Sequence, residues 1–583
     1  MNAHSGTSVR LRGLLPHSLE EALPGVGVAR RYERSSLRSD LVAGAIVAVV
    51  AVPSSLAMGE LAGLPVVFGL YATFLPLVGY AIFGSSRHLV VGPDATMATL
   101  TAAIVAPMAI VDGTADPARY AALAAALALT MGVILILAGT LRLGFIADFF
   151  GKPVLLGYIN GIALTIIAGQ LGKMFGLDID ADDFFPIVRE FVSELDETNG
   201  ATLLLSAGLL LPALLVRRFA RIVPAPVVVL LLGLLLGSIL DVDDLDIAVV
   251  GDVQQGLPPL GLPDIGLDDY TDLLLPAVAL ALIVFADGIA TVRTFALKNG
   301  YDVDPNAELR GFGAAGVLSG ASSALPVSGS GSRTAVNDDS GGRTQVMGLT
   351  AAVVVGLFLL FLMPLIEPLP KAALGVIVVV AALGLFNTRS VWRLRRVRPA
   401  EVGLAIAAFA GVLVFGVVGG IVVAIGLSIG VFLYRVARPH DSVLGQVEDV
   451  DGYHDIERWE DVQARPGLIV YRFDAPLFFV NSEHMRQRVL ALVDAGDDVE
   501  WLVLNAEAWT YLDATAIDTL EQLHDELAER GVTVAVARLK GPEREIFQET
   551  RLTAKFGADQ FFTTVRSAVG AFESRRRSSR SQS

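Results

Sequence analysis

The chain has 583 residues, 53% of them hydrophobic, with a mean hydropathy of +0.60 and a formal net charge of -16. That composition is of a polytopic membrane protein rather than a soluble one. Cysteine is absent from the sequence, which excludes a disulfide framework, a thiol nucleophile and cysteine metal ligation.

The seven histidines (His4, His17, His88, His440, His454, His484 and His524) fall in tails, loops or the polar C-terminal part, so a buried histidine relay is not expected. Residues 1–37 read as a cytoplasmic N-terminal region carrying Arg10, Arg12, Arg30, Arg31 and Arg34, with Arg38 just beyond. They lack the short apolar core and small-residue cleavage site of a signal peptide.

Residues 38–436 form the membrane domain. Apolar runs of spanning length follow one another from Leu41 to Tyr434 and number about fourteen, two or three of them short or broken. The connections alternate in charge. Basic ones hold Arg87; Arg142; Arg217, Arg218 and Arg221; Lys298; Arg343; and Arg393, Arg395, Arg396 and Arg398. Acidic ones hold Asp178, Asp180, Asp182, Asp183, Glu194, Asp196 and Glu197, and then Asp241, Asp243, Asp244, Asp246 and Asp252. Lys and Arg collect on the cytoplasmic side, so both termini are expected there and the protein is expected in the cell membrane.

Between apolar spans lies the polar, glycine-rich stretch from Ser319 to Thr344. Broken backbone at membrane depth is tolerated where it lines a cavity or is buried in protein. A helix starting near Ser332 would aim free N–H groups and its positive dipole end at an anion. Gly92-Pro93-Asp94-Ala95-Thr96 is a second such break, with proline suited to a first helical turn. Two interrupted segments in corresponding halves point to the binding site of an inverted-repeat transporter; the plainer alternative is a pair of ordinary helix starts.

Asp287 sits in an apolar span, where a carboxylate is costly enough to be a functional candidate. Thr291, four residues on, shares its helical face. Together they supply hard oxygen ligands for Na⁺, and the carboxylate alone carries H⁺; the alternative is an aspartate near the helix end that snorkels or pairs with Arg293. Arg333 reads as a fixed charge for the anion or as the ion-pair partner of Asp287 or Asp94. Arg343, Asp338 and Asp339 read as solvated loop charge. Gly-Ser-Gly-Ser-Arg lacks the lysine and spacing of a nucleotide phosphate loop, so an ATPase is not indicated.

After Arg435 the composition turns soluble and acidic, with Pro439 at the boundary. Residues 437–574 read as an α/β module. Strands are expected at Leu468–Phe473, Trp501–Leu504 and Val532–Ala537, and helices at Ala514–Arg530 and Phe562–Ser574. Asp513 is a helix N-cap candidate. Thr515 beside it is a regulatory candidate, as a phosphorylation site at a helix start. Residues 575–583 are expected to be a disordered tail.

Together these residues resemble the sulfate permease (SulP) family of inorganic-anion transporters. The carriers are Val52-Pro53 with Ala57, Leu61-Ala-Gly-Leu-Pro65, Phe68-Gly-Leu-Tyr71, Gly84-Ser-Ser-Arg-His88 with Gly92-Pro93, Asn306-Ala-Glu-Leu-Arg310, Gly331-Ser-Arg-Thr-Ala335 and Gly341-Gly-Arg-Thr-Gln345. The C-terminal part looks like a STAS domain. The resemblance implies a polytopic α-helical membrane fold with two inverted seven-segment repeats, core and gate domains, and an α/β STAS domain, usually as a homodimer. It also implies that Pro93, Ala95 and Thr96 face Ser330, Ser332 and Arg333 across the anion, and that Asp287 stands for the acidic residue of the eighth segment. Ser54 and Met58 occupy positions where many members carry glutamine and an aromatic residue, so they join the substrate-binding set.

The sequence thus leads to a transporter, not an enzyme, for a small inorganic anion, with sulfate first. It would be coupled to H⁺ or Na⁺ at Asp287 and Thr291 and move in an elevator-like way. Na⁺-coupled bicarbonate transport, a passive channel or exchanger, and a membrane-tethered STAS signalling module are the alternatives. No cofactor or nucleic acid is implied. The bilayer, a second copy and a cytoplasmic protein bound to the STAS domain are the expected partners.

Overall fold

The computed structural model describes residues 23–30, 32–111, 114–144, 152–179, 181, 183–219, 224–240, 242, 244–447, 450–459, 462, 465–496 and 498–580. The basic tail at Arg10 and Arg12, together with Arg31, Asp180, Asp182, Arg221, Asp241 and Asp243, lies outside them. The chain parts into two compact units, Met1–Ser428 and Ile429–Ser583.

The first unit is helical. Its first half holds α1 (Leu37–Leu61), α2 (Val66–Phe83), α3 (Ala95–Met108), α4 (Pro117–Thr140), α5 (Lys152–Gly169), α6 (Gly200–Phe219) and α7 (Ala225–Ile239). The second half repeats the count with α8 (Leu267–Asn299), α9 (Pro305–Ala321), α10 (Gly331–Asp339), α11 (Val346–Phe361), α12 (Lys371–Leu385), α13 (Pro399–Val417) and α14 (Val422–Ala437), whose residues from Ile429 on count with the second unit. The last two form one helix broken at Gly416, whose φ of 72° and ψ of 177° end the helical backbone there. Seven of these helices are long and apolar enough to cross a membrane, an eighth candidate span, Lys371–Arg396, runs from α12 into the short helix after it, and α3, α7, α11 and α14 are shorter apolar ones. Traced in order, the basic connections fall at one set of helix ends and the acidic loops at the other.

The two half-helices are joined where they start. β1 (Val91–Gly92) leads into α3, and β2 (Ser328–Gly329) leads into α10. The strands pair antiparallel, Val91 opposite Gly329 and Gly92 opposite Ser328. The pairing satisfies backbone groups that an apolar surround would otherwise leave costly, and it sets both helix N-termini side by side.

Two bundles surround this junction. α9 packs on α4 and α2, α11 on α1 and α2, and α8 on α4, which makes a core bundle. α12 packs on α5, α6 and α7, and α13 lies against Gly157 and Gly161 of α5, which makes a gate bundle. Close approach is what these glycines permit: a Cβ on Gly157 would sit 2.0 Å from the Ala405 carbonyl oxygen.

Buried carboxylates tie the loops of the core. Glu308, fully buried, accepts from Tyr80 Oη (2.5 Å), Ser85 N (2.8 Å), Ser85 Oγ (2.6 Å) and Ser86 N (2.8 Å). Asp40 accepts from Arg343 N (2.7 Å), Thr344 N (3.1 Å) and Thr344 Oγ1 (2.7 Å). The segment around Arg343 is therefore anchored through its backbone rather than being a free loop.

The second unit is an α/β sheet of six strands, order β8-β7-β6-β5-β3-β4, where β3 is Asp441–Gly445, β4 His454–Asp455, β5 Leu468–Phe473, β6 Trp501–Asn505, β7 Thr533–Ala537 and β8 Phe561–Phe562. β5 to β8 run parallel; β3 and β4 are antiparallel additions. Alternation along β6 divides the core. Leu502 and Leu504 cluster with Met485 and Val489 of α15 (Ser482–Ala495) and Leu520 and Leu523 of α16 (Ala514–Glu529). Trp501 and Val503 meet Ala568, Val569 and Phe572 of α17 (Val565–Arg580). At the surface of α15, hydrogen bonds from Arg486 hold the Glu483 carboxyl below its ordinary range.

The expected strands and the Ala514 helix occur within a residue or two of their expected limits, but the C-terminal segment differs. Phe562 belongs to a strand, and the helix after it continues through Arg580, so the segment expected to be disordered from Arg575 is helical to that point. Phe572 packs on Trp501, and Arg576 Nη1 donates to the Pro466 carbonyl (2.6 Å), which fixes those turns against the starts of the central strands β5 and β6.

Candidate functional site

A cavity of about 630 Å³ lies between the bundles. The core bundle lines it with Val50, Ser54 and Met58 of α1, Pro93 to Thr96, Asp287 and Thr291 of α8, and Gly329 to Arg333. The gate bundle contributes Arg217, Pro224 to Pro226, and Val380, Ala381, Gly384 and Leu385 of α12. Every substrate-binding and coupling-ion residue expected from the sequence (Ser54, Met58, Pro93, Ala95, Thr96, Asp287, Thr291, Ser330, Ser332 and Arg333) is on its wall.

Local chemistry explains the placement. Spacing of four puts Val50, Ser54 and Met58 on one face of α1. Pro53 removes one helical N–H, and the Ser54 hydroxyl bonds back to the carbonyls of Val50 and Ala51, both at 3.0 Å. At the start of α3, Asp94 Oδ1 caps Met97 N at 2.9 Å. At the start of α10, Ser330 Oγ caps Arg333 N over a longer 3.4 Å. The first turn of a helix has no internal acceptors for its N–H groups, so those of Gly331 and Ser332 are available toward the cavity. The far side of α10 is sewn down: Val90 N donates to Thr334 Oγ1 (3.0 Å), and Asn337 Nδ2 donates to the His88 carbonyl (2.8 Å). α10 is thus held from behind and open in front.

Arg333 is buried, and its Nη2 donates to the Pro93 carbonyl at 2.7 Å, which ties the α10 start to the α3 start. Its Nη1 has no hydrogen-bond partner among the described residues. Among the described residues Arg333 forms no direct ion-pair contact with Asp94 or Asp287, although Asp94 is near enough to attract it. The side chain runs instead to a backbone carbonyl, which costs no second buried charge. The hydroxyl of Thr291 lies beside Gly331, at ordinary contact distance: a Cβ there would be 3.7 Å from Thr291 Oγ1.

Three features were not legible in the sequence pattern. Arg217, read as loop charge, reaches the cavity; its guanidinium donates to the carbonyls of Val380 (3.0 Å) and Leu383 (3.1 Å) at the end of α12. His88 is buried rather than in an open loop, stacked on Tyr301 at 5.5 Å with Nδ1 3.1 Å from its hydroxyl. Asp338, expected to be solvated, is 7% exposed and pairs with Lys298 at 2.5 Å and Asn299 at 2.8 Å. Asp339 is solvated, at 78%. These contacts join elements far apart in sequence, which no local pattern reports. In the second unit, Asp513 caps α16 through Ala516 N (2.8 Å) and leaves Thr515 exposed in its first turn.

A profile of the Sulfate permease family matches residues 37–408, and a STAS domain profile matches residues 461–568. A probable sulfate transporter of Mycobacterium tuberculosis is 43% identical over 553 residues, covering 95% of this chain and 98% of its own. The chain belongs to the sulfate permease family. Probable sulfate transporter 4.2 of Arabidopsis thaliana is 30% identical over 556 residues, 91% of this chain and 80% of its own. Among solved structures, the murine Solute Carrier 26 family member A9 anion transporter has a TM-score of 0.84 at 24% identity, over 98% of this chain and 96% of its own. The transmembrane domain of a cyanobacterium bicarbonate transporter, BicA, has a TM-score of 0.60 at 24% identity, over 68% and 98%. These two likenesses establish the fold, a helical membrane domain followed, in the first of them, by the soluble unit. The class of this sulfate permease member is multi-pass membrane transport of anions, not enzymatic conversion.

Proposed function

We propose that the chain is a secondary active transporter of sulfate in the cell membrane, with the basic connections and both termini in the cytoplasm, driven by a gradient of H⁺ or Na⁺. The observation that carries this reading is the antiparallel β1–β2 pair, which turns two helix N-termini and Arg333 into one cavity. A tetrahedral dianion needs several donors and a compensating charge in fixed positions. The N–H groups of Gly331 and Ser332, the hydroxyls of Ser330, Ser332 and Thr96 and the Arg333 guanidinium supply them. The mycobacterial relative, named a probable sulfate transporter, supports the choice of anion.

Asp287 is the coupling group in this reading, protonated or Na⁺-bound when the anion sits opposite. Among the described residues no cluster of three or more acidic, imidazole or thiol ligands occurs, so Na⁺ would be held by Asp287, Thr291 and backbone carbonyls. Transport then moves the core bundle, with α3 and α10, against the gate bundle. A second reading is Na⁺-coupled bicarbonate transport, favoured by one observation: Thr291, one turn after Asp287 on α8, lines the same cavity and can join its carboxylate as an oxygen ligand of a cation.

Uptake of radiolabelled sulfate and bicarbonate into proteoliposomes, with H⁺ and Na⁺ gradients imposed separately, tests the reading. Sulfate uptake that follows either gradient is the expected result. Na⁺-dependent bicarbonate uptake with no sulfate uptake would overturn it, and uptake indifferent to both gradients would mean a passive pathway.

A further inference from the structure

Between α12 and α13 runs a short helix, Thr388–Val397, of sequence Thr-Arg-Ser-Val-Trp-Arg-Leu-Arg-Arg-Val, with Arg398 directly after it. It contains four arginines and no acidic residue. Asn387 caps it, accepting from Ser390 N at 3.1 Å, while Asn387 N donates to Asn160 Oδ1 of α5 at 3.1 Å. The helix packs on α5. Leu394 is 8% exposed and marks the inner face with Val391, three residues before it. Arg389, Arg393 and Arg396, at spacings of four and three, form one exposed ridge, and Trp392 (66% exposed) and Arg395 form the next. The Arg395 guanidinium lies 5.7 Å from the centre of the Trp392 ring.

Its depth is set by its tethers. Phe386 and Asn387 alone connect it to α12, a reach of at most about 7 Å, and Arg398 alone separates it from α13. Length and composition alone run one candidate span from Lys371 to Arg396, but the backbone of Phe386 and Asn387 leaves the helical region and makes Thr388–Val397 a helix of its own, held between apolar α12 and α13 and so kept close to the membrane. An amphipathic helix at that depth, with arginines and one exposed tryptophan, has the composition of an element lying in the headgroup plane. Five clustered arginines need compensating negative charge, and a leaflet of anionic lipid supplies it in the right plane.

We propose that Thr388–Val397 is an anionic-phospholipid site, in which Arg389, Arg393 and Arg396 bind headgroup phosphates of the leaflet on the basic side and Trp392 sits at the headgroup–acyl boundary. Bound lipid thereby fixes the end of α12 that lines the cavity through Ala381, Gly384 and Leu385. The site stands whether or not the transported anion is sulfate.

Trp392 makes the test direct, because the three other tryptophans, Trp459, Trp501 and Trp509, all lie in the second unit. The full-length chain is placed in phosphatidylcholine nanodiscs containing an equal fraction of either dibrominated phosphatidylglycerol or dibrominated phosphatidylcholine. The Trp392 signal is the fluorescence difference between the wild-type chain and Trp392→Phe. Expected is quenching by both lipids, with phosphatidylglycerol enriched at least about fivefold, the factor of one arginine near an anionic surface. The preference should collapse at high salt in the wild-type chain and in Arg389→Gln/Arg393→Gln/Arg396→Gln. Equal quenching by both lipids, no quenching by either, or a preference that survives both salt and the triple substitution would overturn the proposal.

Discussion

On the side of the acidic loops, Lys173 Nζ meets Glu60 Oε1 at 3.1 Å, and this pair spans the boundary between the bundles. Glu60 ends α1 of the core; Lys173 lies on a short helix, Leu171–Phe175, that packs on α6 and α12 of the gate. They sit beside a pocket of about 410 Å³ lined by Glu60, Leu64 to Phe68, Val250, Asp252 to Gln254 and Lys371. If the core slides against the gate, this contact holds the conformation described here, with the large cavity reaching Arg217 on the basic side. The gross attraction at that distance is roughly 5 kcal/mol at an effective dielectric of 20. Side-chain exposures of 31% for Lys173 and 15% for Glu60 leave much of it screened, so the net is about 1 kcal/mol. Lys173→Ala should therefore shift the two-state balance by roughly fivefold toward the alternative conformation. The natural absence of cysteine allows a single reporter, Leu64→Cys, labelled by an impermeant maleimide from the acidic side. Labelling should quicken about fivefold in Lys173→Ala and return to the starting rate when Glu60→Lys and Lys173→Glu are combined. An unchanged rate in Lys173→Ala and in Glu60→Gln would refute the assignment of this pair as a lock.

Glu308→Ala should strip buried donors of Ser85, Ser86 and Tyr80 of their acceptor and destabilise the membrane unit by about 3–5 kcal/mol, seen as a lower melting temperature in detergent. Gly92 has φ of 155°, and a Cβ there would sit 2.7 Å from Arg333 Nη1; Gly92→Ala should fold but lose sulfate uptake, whereas Gly331→Ala, with Thr291 at an ordinary 3.7 Å, should keep its melting temperature. Asp287→Asn should retain the wild-type elution profile and lose gradient-driven uptake; normal coupled uptake by this variant would remove Asp287 from the coupling role.

Much of the membrane unit was legible because its signals are local. Spanning runs, charge alternation of the connections and the two polar breaks at Gly92 and Ser330 are each read within a short window, and the chain follows them. The facing of those breaks came from the family resemblance, and the β1–β2 register accounts for it. What was missed depends on distant partners. Arg217 looks like any basic loop residue until α12 ends beside it. His88 and Asp338 are held by Tyr301 and Lys298, 213 and 40 residues away respectively in the chain. The C-terminal arginines look disordered by composition, yet Phe572 on Trp501 continues their helix onto the sheet.

The most direct measurement is equilibrium binding of radiolabelled sulfate to the purified chain and to Arg333→Gln. If the junction of α3 and α10 holds the anion, the wild-type chain binds saturably, one sulfate per chain, and Arg333→Gln binds at least roughly tenfold more weakly, the loss of one charge-assisted contact. Equal sulfate affinity in the two proteins, or no saturable binding by the wild-type chain, would contradict it.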